Sequence, residues 1–379
     1  MKDEKKAPKL RFKGFIDDWE QRKLGDVADI TTGSRNHQDS VTDGKYPFFV
    51  RSNKVEWLNE YDFDTRAILV PGDGRIGEIF HYYNGKFALH QRVYKVDNFN
   101  GINALFLLGK FKYSFKKHAL RLNAQGTVPS LRLPMFTNWN ISIPNITEQE
   151  RIGSFFRKLD RTITLHEEKK RQLERLKSAL LQKMFADKSG YPPVRFEGFS
   201  DKWEQVKYGE IFQRRSKMGV STPTLPSVEY DDINPGMGTL NKEPKSKGIS
   251  KRGIYFNPGD VLFGKLRPYL KNWLFACFEG VAVGDFWVLT SSKIDHGFTY
   301  SLIQTPGFQY IANLSSGSKM PRSDWGLVSN ARTFIPINHL EQERISSVLF
   351  GLDHAITLYE HKLEILNKIK SFLLQNMFI

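Results

Sequence analysis

The sequence predicts an α+β protein: two globular mixed α/β domains separated by two long antiparallel coiled-coil helices, related by a pseudo-twofold internal repeat. Three observations lead there. A chain of 379 residues is long enough for two or three cores. Two strips of sequence occur twice, each time in the same order. The longer strip carries apolar residues at heptad spacing in both copies.

The first strip opens each half. Arg11 to Asp26 reads RFKGFIDDWEQRKLGD and Arg195 to Glu210 reads RFEGFSDKWEQVKYGE, with 10 of 16 positions identical at an offset of 184. Phe12/Phe196, Gly14/Gly198, Phe15/Phe199, Trp19/Trp203 and Gly25/Gly209 are among them. The second strip closes each half. Glu148 to Phe185 matches Glu341 to Phe378 at 21 of 38 positions, at an offset of 193. Both copies begin EQERI, pass through Leu159-Asp160 or Leu352-Asp353, and end LLQ-x-MF. Between the strips the halves diverge. The chain therefore divides into 1–147, a variable domain with its shared strip; 148–188, a first helix; 189–340, linker, shared strip and second variable domain; and 341–379, a second helix.

The closing strips read as helices. Ile152, Phe156, Leu159, Ile163, Leu173 and Leu180 alternate by fours and threes along one face, together with His166, Lys170, Lys177 and Met184. Ile345, Leu349, Leu352, Ile356, Leu366 and Leu373 repeat the seam, with Tyr359, Leu363, Lys370 and Met377. Neither segment contains proline, and Pro144 and Pro336 lie just upstream. At 1.5 Å per residue each helix spans roughly 60 Å. Asp187 to Pro193 reads as a linker.

The variable domains read as mixed. Ala67 to Val70 and Gly259 to Phe263 are β-like runs, each next to a Pro-Gly-Asp turn (Pro71 to Asp73, Pro258 to Asp260). A short helix is predicted near Asn103 to His118, and terminal strands at Asn140 to Ile143 and Arg332 to Ile335.

Charge points to the partner. Lys and Arg number 56 against 41 for Asp and Glu, a net +15 that favours an acidic partner such as nucleic acid. The helices hold little of it: net +4 over 148–188 and −1 over 341–379, which leaves +12 elsewhere. Phosphate contacts require Lys and Arg, and base edges are read by Arg, Lys, Asn and Gln. The candidates are Arg51, Asn53, Lys54, Arg75, Gln91, Arg92, Gln125 and Arg132 in the first half. In the second they are Lys265, Arg267, Lys271, Lys319 and Arg322. Ser315 to Pro321 aligns roughly with Ala124 to Pro129, so one loop is expected to recur.

Other chemistries find little footing. Gly259 to Leu266 mimics a phosphate loop, but Leu266 stands where a Ser or Thr would hold magnesium. No HExxH or GxSxG occurs. Tyr191-Pro192-Pro193-Val194 lacks the polar first residue and aromatic last residue of an adenine-methyltransferase tetrad. Cys277, the one cysteine, lies in the apolar run Trp273 to Phe278 and is expected to be buried. No secretion signal or membrane span is read, and a cytoplasmic location is expected.

The two-copy plan, the WEQ-x-K-x-G strip, the Pro-Gly-Asp turns and the Pro-ended strand before each EQERI helix together resemble the specificity subunit of type I restriction-modification systems. The resemblance covers nearly the whole chain. It implies that each variable domain is a target-recognition domain for one half of a bipartite, gapped site in double-stranded DNA. It implies that the helices fix the gap, and that two modification (methyltransferase) subunits dock on the shared regions through the seam residues. Restriction motor-nuclease subunits would complete the complex. No cofactor would be bound by this chain: S-adenosylmethionine belongs to the modification subunits, and ATP and magnesium to the restriction subunit. The chain would have no catalytic or metal residues, and its source would be bacterial or archaeal.

Overall fold

A computed structural model describes residues 7–123, 129–243, 250–314 and 320–379. The chain clusters into two compact units: Met1–Leu165 with Leu363–Ile379, and His166–Lys362.

In the first unit, β1 (Glu20–Lys23) pairs antiparallel with β8 (Asn140–Ile143). Between them lie β2 (Asp29–Thr32), β3 (Tyr46–Phe49), β4 (Val55–Leu58), β5 (Phe63–Pro71), β6 (His81–Leu89) and β7 (Val93–Asp97). These form one sheet in the order β2-β7-β5-β6-β3-β4, antiparallel except where β3 meets β6. Strand β5 is central because it is apolar on both faces. Its period of two sends Ile68 and Val70 into a core with Trp19, Phe106 and Phe136, and Ala67 and Leu69 into a second core with Phe49 and Phe87. Then come α1 (Ala104–Lys110), capped by Asn103, a π-helical turn at Phe111–Phe115, α2 (Lys116–Leu122) and α3 (Leu133–Thr137).

Helix α4 (Ile146–Lys183) follows β8, and the second unit begins within it. That unit opens with β9 (Glu204–Lys207), α5 (Tyr208–Ile211) and β10 (Gln213–Arg214). Next are β11 (Met218–Val220), β12 (Ser227–Val228), β13 (Ile233–Asn234), β14 (Thr239–Leu240) and β15 (Arg252–Phe256). They are followed by β16 (Val261–Gly264), β17 (Trp273–Phe275), β18 (Gly280–Ala282) and β19 (Phe286–Thr290). Helices α6 (His296–Ile303), α7 (Pro306–Ala312) and α8 (Trp325–Asn330), strand β20 (Arg332–Ile335) and helix α9 (His339–Met377) complete the chain. The sheet order β10-β19-β16-β17 repeats β2-β7-β5-β6, and β20 pairs with β9 as β8 pairs with β1.

The shared strips make matching contacts inside each unit. Arg11 forms two bonds to buried Glu148, at 2.8 and 2.6 Å; Arg195 forms two to buried Glu341, at 2.7 and 2.9 Å. Gln149 donates to the Pro144 carbonyl and accepts from the Asn103 amide; Gln342 does the same with Pro336 and Asp295. Arg151 lies over the Phe15 ring and Arg344 over Phe199, a cation–π pairing. Ile152 and Ile345 are buried. These contacts account for the first E, the Q, the R and the I of EQERI. Trp19 meets Phe106 and Phe378 edge-on; Trp203 meets Phe298 and Phe185 the same way.

The seam residues form the least exposed stripe of each helix. Ile152, Phe156, Ile163, Ile345, Leu349 and Ile356 are buried, while Leu159, Leu173, Leu180, Leu352, Leu366 and Leu373 are half-buried. In the first unit Asp160 on α4 meets Lys370 on α9 at 2.7 Å. In the second, Lys170 meets Glu360 at 3.1 Å, Lys177 meets Asp353 at 2.5 Å, and His166 packs on Tyr359. Lys177, further along α4, meets Asp353, which lies earlier on α9 than the Tyr359 and Glu360 that meet His166 and Lys170, so the segments within the second unit run antiparallel. Asp160 and Asp353 occupy matched positions but differ electrostatically. Burial raises the Asp353 carboxyl despite Lys177; at Asp160 burial acts the same way, but Lys112 and Lys370 outweigh it and the carboxyl is lowered.

Two sequence expectations are corrected, and the two Pro-Gly-Asp turns prove to serve different strand ends. The helices begin at Ile146 and His339, ahead of EQERI, because Asn145 and Asn338 cap them: the Asn145 carboxamide accepts from Glu148 N–H, and that of Asn338 from Leu340 N–H. The Pro-Gly-Asp turns are not equivalent: Pro71 ends β5, whereas Pro258 to Asp260 precede β16. Cys277 is exposed, because it follows β17 in a turn where Ala276 takes the inward position.

Candidate nucleic-acid interface

In the first unit the candidate residues gather where the chain leaves β5. Arg51 forms an ion pair with Asp73 at 3.4 Å. The Gly72 amide donates to the Arg92 carbonyl at 2.7 Å, and the Leu131 amide to the Gly72 carbonyl at 2.7 Å. Asp73 bridges to Ser130, so Arg132 stands two residues from the same turn. Arg75 is exposed and meets Glu78 at 2.7 Å. Asn53 and Lys54 are exposed on the loop that follows Arg51, fastened where the His81 ring donates to the Ser52 carbonyl at 2.9 Å. Gln91 points instead to Asn36, donating to its carboxamide oxygen at 2.5 Å. Burial, then the charge of Arg51, lowers the basicity of His90, whose Nδ1 accepts from the Arg92 amide at 2.9 Å.

The second unit builds the corresponding place where the chain leaves β16. Asp285 meets Arg322 at 2.9 Å and Lys265 at 3.8 Å. Leu266 bridges to Arg322, and the Arg267 amide donates to the Pro321 carbonyl at 2.8 Å. Tyr230 donates to the Asp285 carbonyl at 2.5 Å and accepts from the Leu266 amide at 3.1 Å; burial pushes its hydroxyl up to about 12. Arg267 and Lys271 both take left-handed backbone, at φ 48° and 58°, around the short turn Pro268–Leu270. Lys271 stands at the far end of that turn from Arg322 and Asp285. Gln125 and Lys319 lie outside the described residues.

The construction is common to both units. The segment leaving the central strand is bridged to the stretch before α3 or α8, and a carboxylate there pairs with basic side chains: Asp73 with Arg51, Asp285 with Arg322 and Lys265. Asp73 and Asp285 were not singled out in the sequence. Asp73 had a signal, its place in a Gly-Asp-Gly-Arg turn; Asp285 had none. Both are paired with exposed cations, and such pairs contribute about 0–1 kcal/mol. The cations can exchange the carboxylate for a phosphate or a guanine edge at little cost. Among the described residues, no group of three or more His, Cys, Asp or Glu is placed to hold a metal ion. No described helix is long and apolar enough to cross a membrane.

Residues 16–175 match the family model for the type I restriction modification DNA specificity domain. The chain is 24% identical over 365 residues to the type I restriction enzyme EcoDI specificity subunit of Escherichia coli, covering 87% of this chain and 77% of that one. The chain is similar to type I restriction-modification specificity subunits over most of its length, and its residues 16–175 match their DNA specificity domain. The chain is also 24% identical over 398 residues to the MjaVIII specificity subunit of Methanocaldococcus jannaschii, with 93% and 90% coverage. Its fold matches the crystal structure of the type I system S subunit from M. genitalium at a TM-score of 0.74 and 16% identity, covering 98% and 99% of the two chains.

Proposed function

We propose that this specificity chain is the non-catalytic address reader of its complex, each unit reading one half of a bipartite, gapped site in double-stranded DNA. The observation that carries the reading is the construction built twice: one backbone scaffold at the exit of β5 and of β16, furnished with different side chains. A shared scaffold fits two jobs of one kind. Different side chains fit two different half-sites, hence a non-palindromic target. The long helices α4 and α9 act as a coiled-coil ruler that sets the gap, and with the shared strips they dock two methyltransferase subunits and the restriction subunit. Those partners hold the S-adenosylmethionine, ATP and magnesium. Base-edge contacts supply specificity, and phosphate contacts supply affinity that falls with salt.

The test is to co-express the chain with its methyltransferase subunit and map methyladenine across host DNA. One gapped, two-part motif should appear only when this chain is present; its absence despite a stable complex would overturn the reading. Lengthening both helices by one turn should widen the gap and leave the half-sites unchanged. An unchanged gap would remove the ruler from the account.

A further inference from the structure

The turn Pro268–Leu270 is strained and held firmly. It lies between two non-glycine residues in the left-handed region, Arg267 and Lys271. Such backbone persists only where its surroundings over-determine it, and it concentrates at functional sites. Here the Arg267 amide donates to Pro321 at 2.8 Å, the Leu270 amide to Arg267 at 2.9 Å and the Lys271 amide to Pro268 at 2.9 Å. The Lys271 carbonyl in turn accepts from Gly236 at 2.8 Å. What this effort presents to solvent is apolar. Tyr269 is 55% exposed at the apex, Leu270 beside it is 43% exposed, and Met320, next to Pro321, is 57% exposed. A rigid turn that displays an aromatic ring between Arg267 and Lys271 along the chain, with Arg322 bridged to the strand exit at Leu266, is complementary to a polyanion with stacked rings inside it.

We propose that Tyr269 is a wedge residue. Its ring enters the duplex at one base step of the half-site read by the second unit, stacks on a base and opens that step, while Arg267, Lys271 and Arg322 hold the flanking phosphates. Rigidity matters here, because a mobile side chain would lose in ordering what it gains in stacking, whereas this backbone is already fixed. The first unit has no counterpart: after β5 the chain reads Gly72-Asp73-Gly74-Arg75, with no aromatic residue. The distortion is therefore one-sided. This inference rests on the address-reader reading and adds a specificity-determining residue to it, since steps that unstack easily are favoured at that position.

The experiment uses the chain assembled with its methyltransferase subunits and duplexes carrying 2-aminopurine at successive positions of the mapped site other than the methylated adenines, which the methyltransferase itself draws out of the stack. Fluorescence should rise at one step, in the second unit's half-site only. Tyr269→Ala should abolish the rise and weaken cognate binding on the order of ten-fold; Tyr269→Phe and Tyr269→Trp should keep both. Because the ring is exposed, the alanine variant should assemble normally. No rise at any step, or an alanine variant that brightens and binds like the parent, overturns the wedge. A variant that loses methyltransferase subunits while its DNA signal is unchanged also overturns it, and assigns Tyr269 to a protein contact. If the parent complex methylates no two-part site, the address-reader reading fails, whatever Tyr269 does.

Discussion

Phe378→Ala is expected to destabilise the first unit by about 3–5 kcal/mol, the range for removing a buried phenylalanine ring. The ring is 2% exposed and stands 5.4 Å from Phe106, 5.7 Å from Phe156, 5.9 Å from Tyr113 and 6.5 Å from Trp19. It also fills the space over Gly109, where an added Cβ would lie 2.6 Å from the ring. Four aromatic neighbours and a bare glycine leave little to collapse into the void, so the loss should lie at the upper end of the range. Urea unfolding monitored by tryptophan fluorescence measures it. Phe185→Ala is the matched experiment in the second unit, where Phe185 packs on Trp203 and Phe298. A loss under about 1 kcal/mol in both would mean that the rings do not anchor these cores.

Glu341→Ala should cost about as much, roughly 3–5 kcal/mol, by a different route. The carboxylate is 2% exposed and accepts two bonds from Arg195, itself 14% exposed, and one from the Trp203 indole at 3.3 Å. It also lies in the first turn of α9, where negative charge is favoured. Its removal leaves a guanidinium and an indole N–H without their acceptor. Glu341→Gln should cost less, because a neutral amide oxygen still accepts. Pairing Arg195→Met with Glu341→Met should recover much of the loss, since no unpaired buried charge is left. Thermal denaturation of the three variants checks the order: Ala lowest, Gln between it and the parent, the double variant above Ala. If the double variant falls below Glu341→Ala, the pair stabilises through attraction and not through mutual neutralisation.

Much of the fold was legible because it depends on pattern. The seam from Ile152 to Leu180 reads directly as a buried stripe, since helical period and heptad spacing coincide. Terminal strands β8 and β20 fall where Asn140 to Ile143 and Arg332 to Ile335 predicted them. The EQERI strips could be found but not explained: nothing along the chain says that Glu148 waits for Arg11, 137 residues away. The two Pro-Gly-Asp turns show the opposite limit. A turn motif marks a bend, but not which end of a strand it serves. At the candidate interface, residue type picked out Arg51, Arg92, Arg267 and Arg322. The carboxylates among them, and the left-handed backbone at Arg267 and Lys271, depend on neighbours brought in from distant sequence.

The first unit is discontinuous: its opening 165 residues join Leu363–Ile379, whereas the second is one uninterrupted stretch, His166–Lys362. During synthesis, chain emerges from the ribosome in order, and domains close as units when their last segment is free. The second unit can therefore close while the first, although translated earlier, still lacks the last turns of α9 and the Phe378 that follows them. The first half made is the last half finished, and in the interval its aromatic core around Trp19 and Phe106 stands open to water and to chaperones. Limited proteolysis of stalled nascent chains should find the second unit protected before the first.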